Sequence, residues 1–284
     1  MQARELRGQS VAENIAEEVK KHVAKMKQEG MQPTLSMIRV GDRIEDMAYE
    51  RSAQRRMELC GICAQSEVLK SDVTTKQLIR VIKQNNEAKN VNGILLFQPL
   101  PAHIDMEAVK EAIDPVKDVD CNNPLSSARM YLDDEEALIP ATPGAVMEIL
   151  KHYDIALEGT NVAVLGRSMI VGKPLAMMLL NQNATVTMCH SKTKNLAKIC
   201  QEADVIVSCI GKPKFITEEY VTPESVVIDV GINLDKNNKL CGDVDYARVA
   251  PVVRAITPVP GGVGSVTTSV LAQNLLKAFH MQNR

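Results

Sequence analysis

The sequence predicts an α/β protein of two domains with parallel sheets, and three observations carry that prediction. Short β-prone runs alternate with amphipathic helical stretches in both halves of the chain. A proline-punctuated passage, CNNPLSSARMYLDDEEALIPATP, interrupts the alternation after Asp114 and marks a domain boundary. A glycine turn then joins a strand to a helix, the arrangement of a doubly wound nucleotide fold. A length of 284 residues exceeds what one hydrophobic core usually supports, which agrees with two domains.

The elements follow in order. Ser10 suits an N-cap, and Val11, Ile15, Val19, Val23 and Met26 fall at helical spacing before Gly30, so 10–29 reads as an amphipathic helix. TLSMIRV (34–40) is a strand ending in the turn pair Gly41-Asp42, and a helix follows over 46–59. AQSEVL with TTKQLIRVIKQNN, then NGILLF with DMEAVKEAI, repeat this β-then-α unit. Past the irregular passage come a helix over 144–153 and four β runs: NVAVLG, ATVTMCH, DVIVSCIG and SVVIDVGI. LAMMLLNQ and LAKICQEA separate the first three of these, and SVTTSVLAQNLLKAFH is a closing helix.

Composition narrows the function classes. Lys and Arg number 33 against 35 Asp and Glu, a net charge of −2 that gives no basic surface for nucleic acid. The first twenty residues mix Arg4, Glu5, Arg7 and Glu13 with apolar positions, and no later run is apolar enough for a bilayer, so neither a secretory signal nor a membrane span is expected. An odd count of seven cysteines in a chain large enough to bury a core points to a reducing, cytoplasmic compartment. Aromatic residues make up 3% and Trp is absent, which disfavours base stacking.

NVAVLG ends at Gly166 and runs through Arg167 and Ser168 to Gly172 and a helix. Strand, glycine turn and helix N-terminus together suit a pyrophosphate, although the spacing is G-x-S-x-x-x-G and a glycine here also serves as packing relief. The next strand ends His190, Ser191, Lys192, without the carboxylate that holds a ribose 2′-hydroxyl in NAD enzymes. With Arg167 nearby, NADP fits better than NAD; the competing reading is a solvated arginine beside an ordinary polar strand end.

GRSMIVGKP, HSKT, VIDVGIN, GDV and ITPVPGGVG occur in that order, preceded by VGD, a helix bearing Tyr49, NGILLFQPLP and KDVD (117–120). Together they resemble the FolD family, the methylenetetrahydrofolate dehydrogenase/cyclohydrolases, over nearly the whole chain. The resemblance implies a folate-binding catalytic domain over 1–120, joined by the C-terminal helix 266–284. It implies a Rossmann-type NADP domain over 141–265, a folate cleft between the two, and a homodimer. By that likeness Gly166, Arg167, Ser168, Gly172, His190, Ser191, Ile232 and Thr257 contact the cofactor. Tyr49, Asp120, Gln98, Pro99, Leu100, Gly261 and Gly262 contact a tetrahydrofolate derivative, with Tyr49 and Asp120 as the catalytic pair.

Departures from the family pattern are informative. Members with both activities carry Y-x-x-x-K and Q-L-P-L-P; here Ala53 stands at the lysine position and Phe97 at the glutamine position, and PGGVGPMT becomes PGGVGSVT with Ser265 and Val266. Oxidising the methylene bridge moves a hydride and leaves a delocalised cation, so positioning suffices. Opening the methenyl ring adds water and moves protons, which needs a group of tunable pKa; Ala53 has none, and the guanidinium groups of Arg51, Arg55 and Arg56 are poor bases. The expectation is a dehydrogenase with weak or absent cyclohydrolase activity. The alternatives are a bifunctional enzyme that recruits another acid/base group, and a folate- and nucleotide-binding module without catalysis.

Other features take plainer readings. Cys60-Gly-Ile-Cys63 lacks a second pair to complete a metal site, the histidines make no cluster at ligand spacing, and no metal is expected. The run Asp133–Glu136 reads as a solvated loop.

Overall fold

The computed structural model describes residues 3–283. Strand β1 (Arg4–Glu5) and helix α1 (Gly8–Gln28) precede three β/α pairs: β2 (Thr34–Val40) with α2 (Ile44–Leu59), β3 (Cys63–Leu69) with α3 (Thr75–Glu87), and β4 (Gly93–Leu96) with α4 (Met106–Ala112). Helices α5 (Pro124–Tyr131) and α6 (Ala141–His152) lead to β5 (Asn161–Leu165), α7 (Gly172–Asn181), β6 (Thr185–Cys189), α8 (Leu196–Gln201), β7 (Val205–Ser208) and β8 (Val226–Asp229). A hairpin of β9 (Asn233–Leu234) and β10 (Leu240–Cys241) follows, then α9 (Tyr246–Val249), β11 (Ala255–Ile256) and α10 (Thr267–Gln282). Two compact units result, one from residues 3–12 and Thr142–Thr267, the other from Glu13–Ala141 and 268–283.

The unit containing Glu13–Ala141 is built on a parallel three-stranded sheet in the order β3-β2-β4. All seven residues of β2 are buried, as expected of a strand covered on both faces. Its Ile38 and Val40 join Leu78, Ile82, Leu96 and Val109 in one core cluster. Helix α3 opens with a capping box between Thr74 and Gln77. Lys117 closes the other end: its buried ammonium donates to the carbonyls of Asn85 (3.1 Å), Asn86 (2.7 Å) and Ala88 (2.9 Å). Helix α10 belongs to this unit, where Asn274 donates to the carbonyls of Val119 (2.8 Å) and Ile139 (2.7 Å). Gly93 admits that packing, since a Cβ there would lie 2.4 Å from Val119 and 2.5 Å from Leu275.

The passage after Asp114 is more ordered than expected. Buried Asp118 accepts the N–H groups of Asn122 (2.9 Å) and Asn123 (2.7 Å), the Asn123 side chain accepts from the Leu125 N–H (2.8 Å), and Pro124 begins α5. Asn123 and Pro124 are a helix start that the proline count disguised. The run Asp133–Glu136 is largely exposed, as a solvated loop should be.

The other unit carries a six-stranded sheet in the order β1-β11-β8-β7-β5-β6, every pair parallel. Strand β5 lies between β6 and β7, so chain direction across the sheet reverses there and the carboxyl ends of these strands form the topological switch point. The compact units divide the chain elsewhere than the expected 1–120 and 141–265. Residues 3–12 join this second unit because β1 pairs with β11, the Gly8 N–H donates to the Gly261 carbonyl (2.8 Å), and the Tyr246 hydroxyl donates to Glu5 (2.6 Å). Residues 121–141 join the first unit through α5 and the bond from the Ala141 N–H to Asp120 (2.9 Å). No helix among the described residues is long and apolar enough to cross a membrane.

Replacing Lys117 with Met leaves the carbonyls at the end of α3 without their donor. Urea denaturation is expected to show a loss of about 2–4 kcal/mol for the variant.

Candidate active site

Tyr49 and Ala53 lie one helical turn apart on α2 and therefore share a face. The helix is tied to the sheet by a buried ion pair, Arg39 Nε donating to Glu50 Oε2 at 2.7 Å. The Ala53 methyl is fully buried and Phe97 is 5% exposed. The rings of Tyr49 and Phe97 meet edge to face, centroids 6.0 Å apart at 80°. Gln98 turns elsewhere and donates to the Asn122 side-chain oxygen. Pro99 is exposed, its carbonyl accepting from Arg43 (3.3 Å), while Leu100 is buried.

Asp120 is partly exposed by area, yet its carboxyl is enclosed; burial raises its pKa to about 6, with the Asp118 charge adding to the effect. Its Oδ1 accepts from the Ala141 N–H at 2.9 Å.

In the second unit a cavity of about 300 Å³ opens at the carboxyl ends of β5, β6 and β7. It brings together five of the predicted residues, Gly166, Arg167, Ser168, His190 and Ser191. Gly166 has φ +125°, and a Cβ there would lie 2.6 Å from both the carbonyl oxygen and Sγ of Cys209. Gly172 is packed against the same turn, its notional Cβ 2.3 Å from the Gly166 carbonyl. It lies outside the cavity lining. The Ser168 hydroxyl accepts from the N–H groups of Val171 (3.1 Å) and Gly172 (3.3 Å), closing the turn onto α7. None of the residues lining this cavity is acidic.

A second cavity, of about 270 Å³, lies at the ends of β8 and β11 and is lined by Ile232, Gly261 and Gly262, with Ser265 at its edge. Thr257 is absent from this lining: it is 1% exposed, and its hydroxyl accepts the Asp229 N–H at 2.7 Å, joining β11 to β8.

Sequence reasoning missed the two residues that shape both cavities. Asp229 and Asp243 are almost wholly buried. Asp229 accepts the N–H groups of Gly231 (2.9 Å), Asp243 (3.0 Å) and Val244 (2.9 Å). Asp243 accepts those of Ile210 (2.7 Å), Gly211 (3.3 Å) and Lys212 (2.9 Å), together with the Ser208 hydroxyl (3.1 Å) and the Asn233 amide (2.9 Å). The available signal was glycine beside aspartate in VIDVGIN and GDV: a Cβ at Gly231 would sit 2.3 Å from Asp243 Oδ1, and one at Gly242 would sit 1.8 Å from Asp229 Oδ2. Burial pushes the Asp229 carboxyl up to about 6 against three backbone donors, and the Asp243 charge adds to the rise.

Among the described residues no group of three or more His, Cys, Asp or Glu is placed to hold a metal. Cys60 and Cys63 are free thiols, and Cys60 is buried.

Asp243→Asn exchanges an acceptor oxygen for a donor facing backbone N–H groups. The variant is expected to lose about 2–4 kcal/mol of stability. Hydrogen exchange at residues 210–212 is expected to accelerate while exchange in β2 stays as in the parent protein.

Comparison with known proteins agrees with this geometry. Residues 6–120 match the model for the tetrahydrofolate dehydrogenase/cyclohydrolase catalytic domain, and residues 140–283 match the NAD(P)-binding domain of the same family. The chain is 50% identical to the bifunctional protein FolD of Clostridioides difficile, over 98% of this chain and 97% of that one. It superposes on the FolD dehydrogenase/cyclohydrolase of Campylobacter jejuni with a TM-score of 0.94 at 38% identity, covering 97% and 98% of the two chains. It superposes equally on the Trypanosoma brucei FolD complexed with NADP and an inhibitor, with a TM-score of 0.94 at 35% identity, covering 100% and 99%. The chain belongs to the tetrahydrofolate dehydrogenase/cyclohydrolase family.

Proposed function

We propose that the protein oxidises 5,10-methylenetetrahydrofolate to 5,10-methenyltetrahydrofolate with NADP⁺, and that its cyclohydrolase activity is weak or lost. The observation that carries the second half is the burial of an alanine methyl at 53 and of a phenylalanine ring at 97, the two positions on either side of Tyr49's helix face and ring. Neither position can take up or release a proton, and ring opening by water needs such a group. Glu50, three residues before Ala53 on α2, is committed to Arg39.

The residues of the first cavity suit NADP. Gly166 leaves room at the turn, the β6 end lacks a carboxylate, and Arg167 adds a planar cation. Bound NADP⁺ supplies the hydride acceptor. Gly166, Arg167, Ser168, His190 and Ser191 hold its phosphate-bearing end, and Ile232 lines the second cavity, which receives the nicotinamide. Tyr49 and Asp120 orient the folate, with Gln98, Pro99 and Leu100 beside them. The same reading, following the family resemblance, makes the protein a cytoplasmic homodimer.

A second reading, that hydrolysis persists, has one observation in its favour. An Asp120 carboxyl with a pKa of about 6 is suited to shuttling protons near neutrality.

Two measurements test these assignments. Methenyltetrahydrofolate added to the protein is expected to decay near its spontaneous rate, and Ala53→Lys with Phe97→Gln is expected to accelerate decay by about a hundredfold. Fast decay with the parent protein, abolished by Asp120→Asn, would establish the second reading. For binding, the raised pKa means that Asp120 is charged above about pH 6 and neutral below it. As an acceptor for pterin N–H groups it then loses strength on acidification. Folate affinity is expected to fall as pH drops through about 6, with Asp120→Asn weak and flat across the same range.

A further inference from the structure

The cavity at the ends of β5, β6 and β7 holds a second cation. Lys212 lines it together with Arg167, Ser191 and the apolar side chains of Leu196, Ile210 and Phe215. Its backbone is fixed by buried Asp243, which accepts the Lys212 N–H at 2.9 Å and pins the two preceding residues as well. Its ammonium lies 5.2 Å from the centroid of the Phe215 ring, so one wall of the cavity supports the side chain. The nearby Lys214 is engaged instead by Asp235 at 3.3 Å. Lys212 therefore presents a positioned charge to a cavity whose lining has no carboxylate to neutralise it.

We propose that Lys212 is a second phosphate-binding cation of the cofactor cavity and, with Arg167 and Ser191, sets preference for a dinucleotide bearing a ribose phosphate over one with a free 2′-hydroxyl. The proposal rests on the NADP reading given above. The two cations do different work. Arg167 offers a planar fork of donors, whereas Lys212 is a compact point charge on a stem held against an aromatic ring, suited to a phosphate dianion approached from a second side. The apolar residues between them suit the face of a purine.

Isothermal titration of the full chain with NADP⁺ and with NAD⁺, at low and at high salt, tests this without catalysis. The parent protein is expected to bind NADP⁺ more tightly. Lys212→Met is expected to weaken NADP⁺ binding by about fivefold, to leave NAD⁺ binding within about twofold, and to flatten the salt dependence of the NADP⁺ titration. Lys212→Arg is expected to keep most of the preference. Equal weakening for both dinucleotides, or none for either, would overturn the role of Lys212 while leaving the NADP reading intact. A parent protein that binds the two equally would overturn both.

Discussion

Two carboxylates removed from water organise the ligand-facing edge of the six-stranded sheet. Asp229 and Asp243 are 3% and 0% exposed, and burying charge in this way is tolerated only where hydrogen-bond donors replace the lost water. Each receives three backbone N–H groups, and Asp243 takes two side-chain donors besides. The donors come from the loops after β7 and β8 and from the segment after the β9–β10 hairpin, so one network fixes walls of both cavities. Ile210 and Lys212 line the first, and Gly231 and Ile232 line the second. Glycine at 231 and 242 is a condition of the network, because any side chain there would occupy the carboxylate positions.

On the reading proposed above, that scaffold shapes the dinucleotide cavity, and the folate belongs to the other unit. There α2 is anchored through Arg39 and Glu50, the Tyr49 ring packs edge to face on Phe97, and burial raises the pKa of Asp120 to about 6. The side chains at 53 and 97 are buried and carry no titratable group. Hydride removal needs positioning alone; hydrolysis needs a proton carrier, and the aliphatic and aromatic side chains at 53 and 97 cannot be one.

Much of this was legible in the chain itself. Strand β2 is bounded by the residues that the apolar run predicted, because a fully buried parallel strand writes itself as continuous β-prone sequence. The glycine turn at 166–172 was legible for the same reason: backbone contacts there exclude a side chain. Strands β1 and β11 were not, being two residues each, too short for any periodicity and defined only by pairing across the chain. Helix α5 was hidden because its start signals, Asn123 and Pro124, also serve as loop signals. Thr257 carried a resemblance but spends its hydroxyl on the backbone of Asp229. Asp229 and Asp243 were invisible as a pair because fourteen residues separate them and only folding brings the Asp229 carboxylate to the Asp243 backbone.

The central claim concerns where the reaction stops, and one measurement reaches it directly. Protein, 5,10-methylenetetrahydrofolate and NADP⁺ are combined in one cuvette, and reduced nicotinamide and the methenyl chromophore are followed together. The account predicts that both rise in equal amounts and that the methenyl signal then persists, decaying only at the rate seen without protein. Reduced nicotinamide accumulating while the methenyl signal stays low would contradict it, and would mean that this protein completes the hydrolysis with alanine at 53 and phenylalanine at 97.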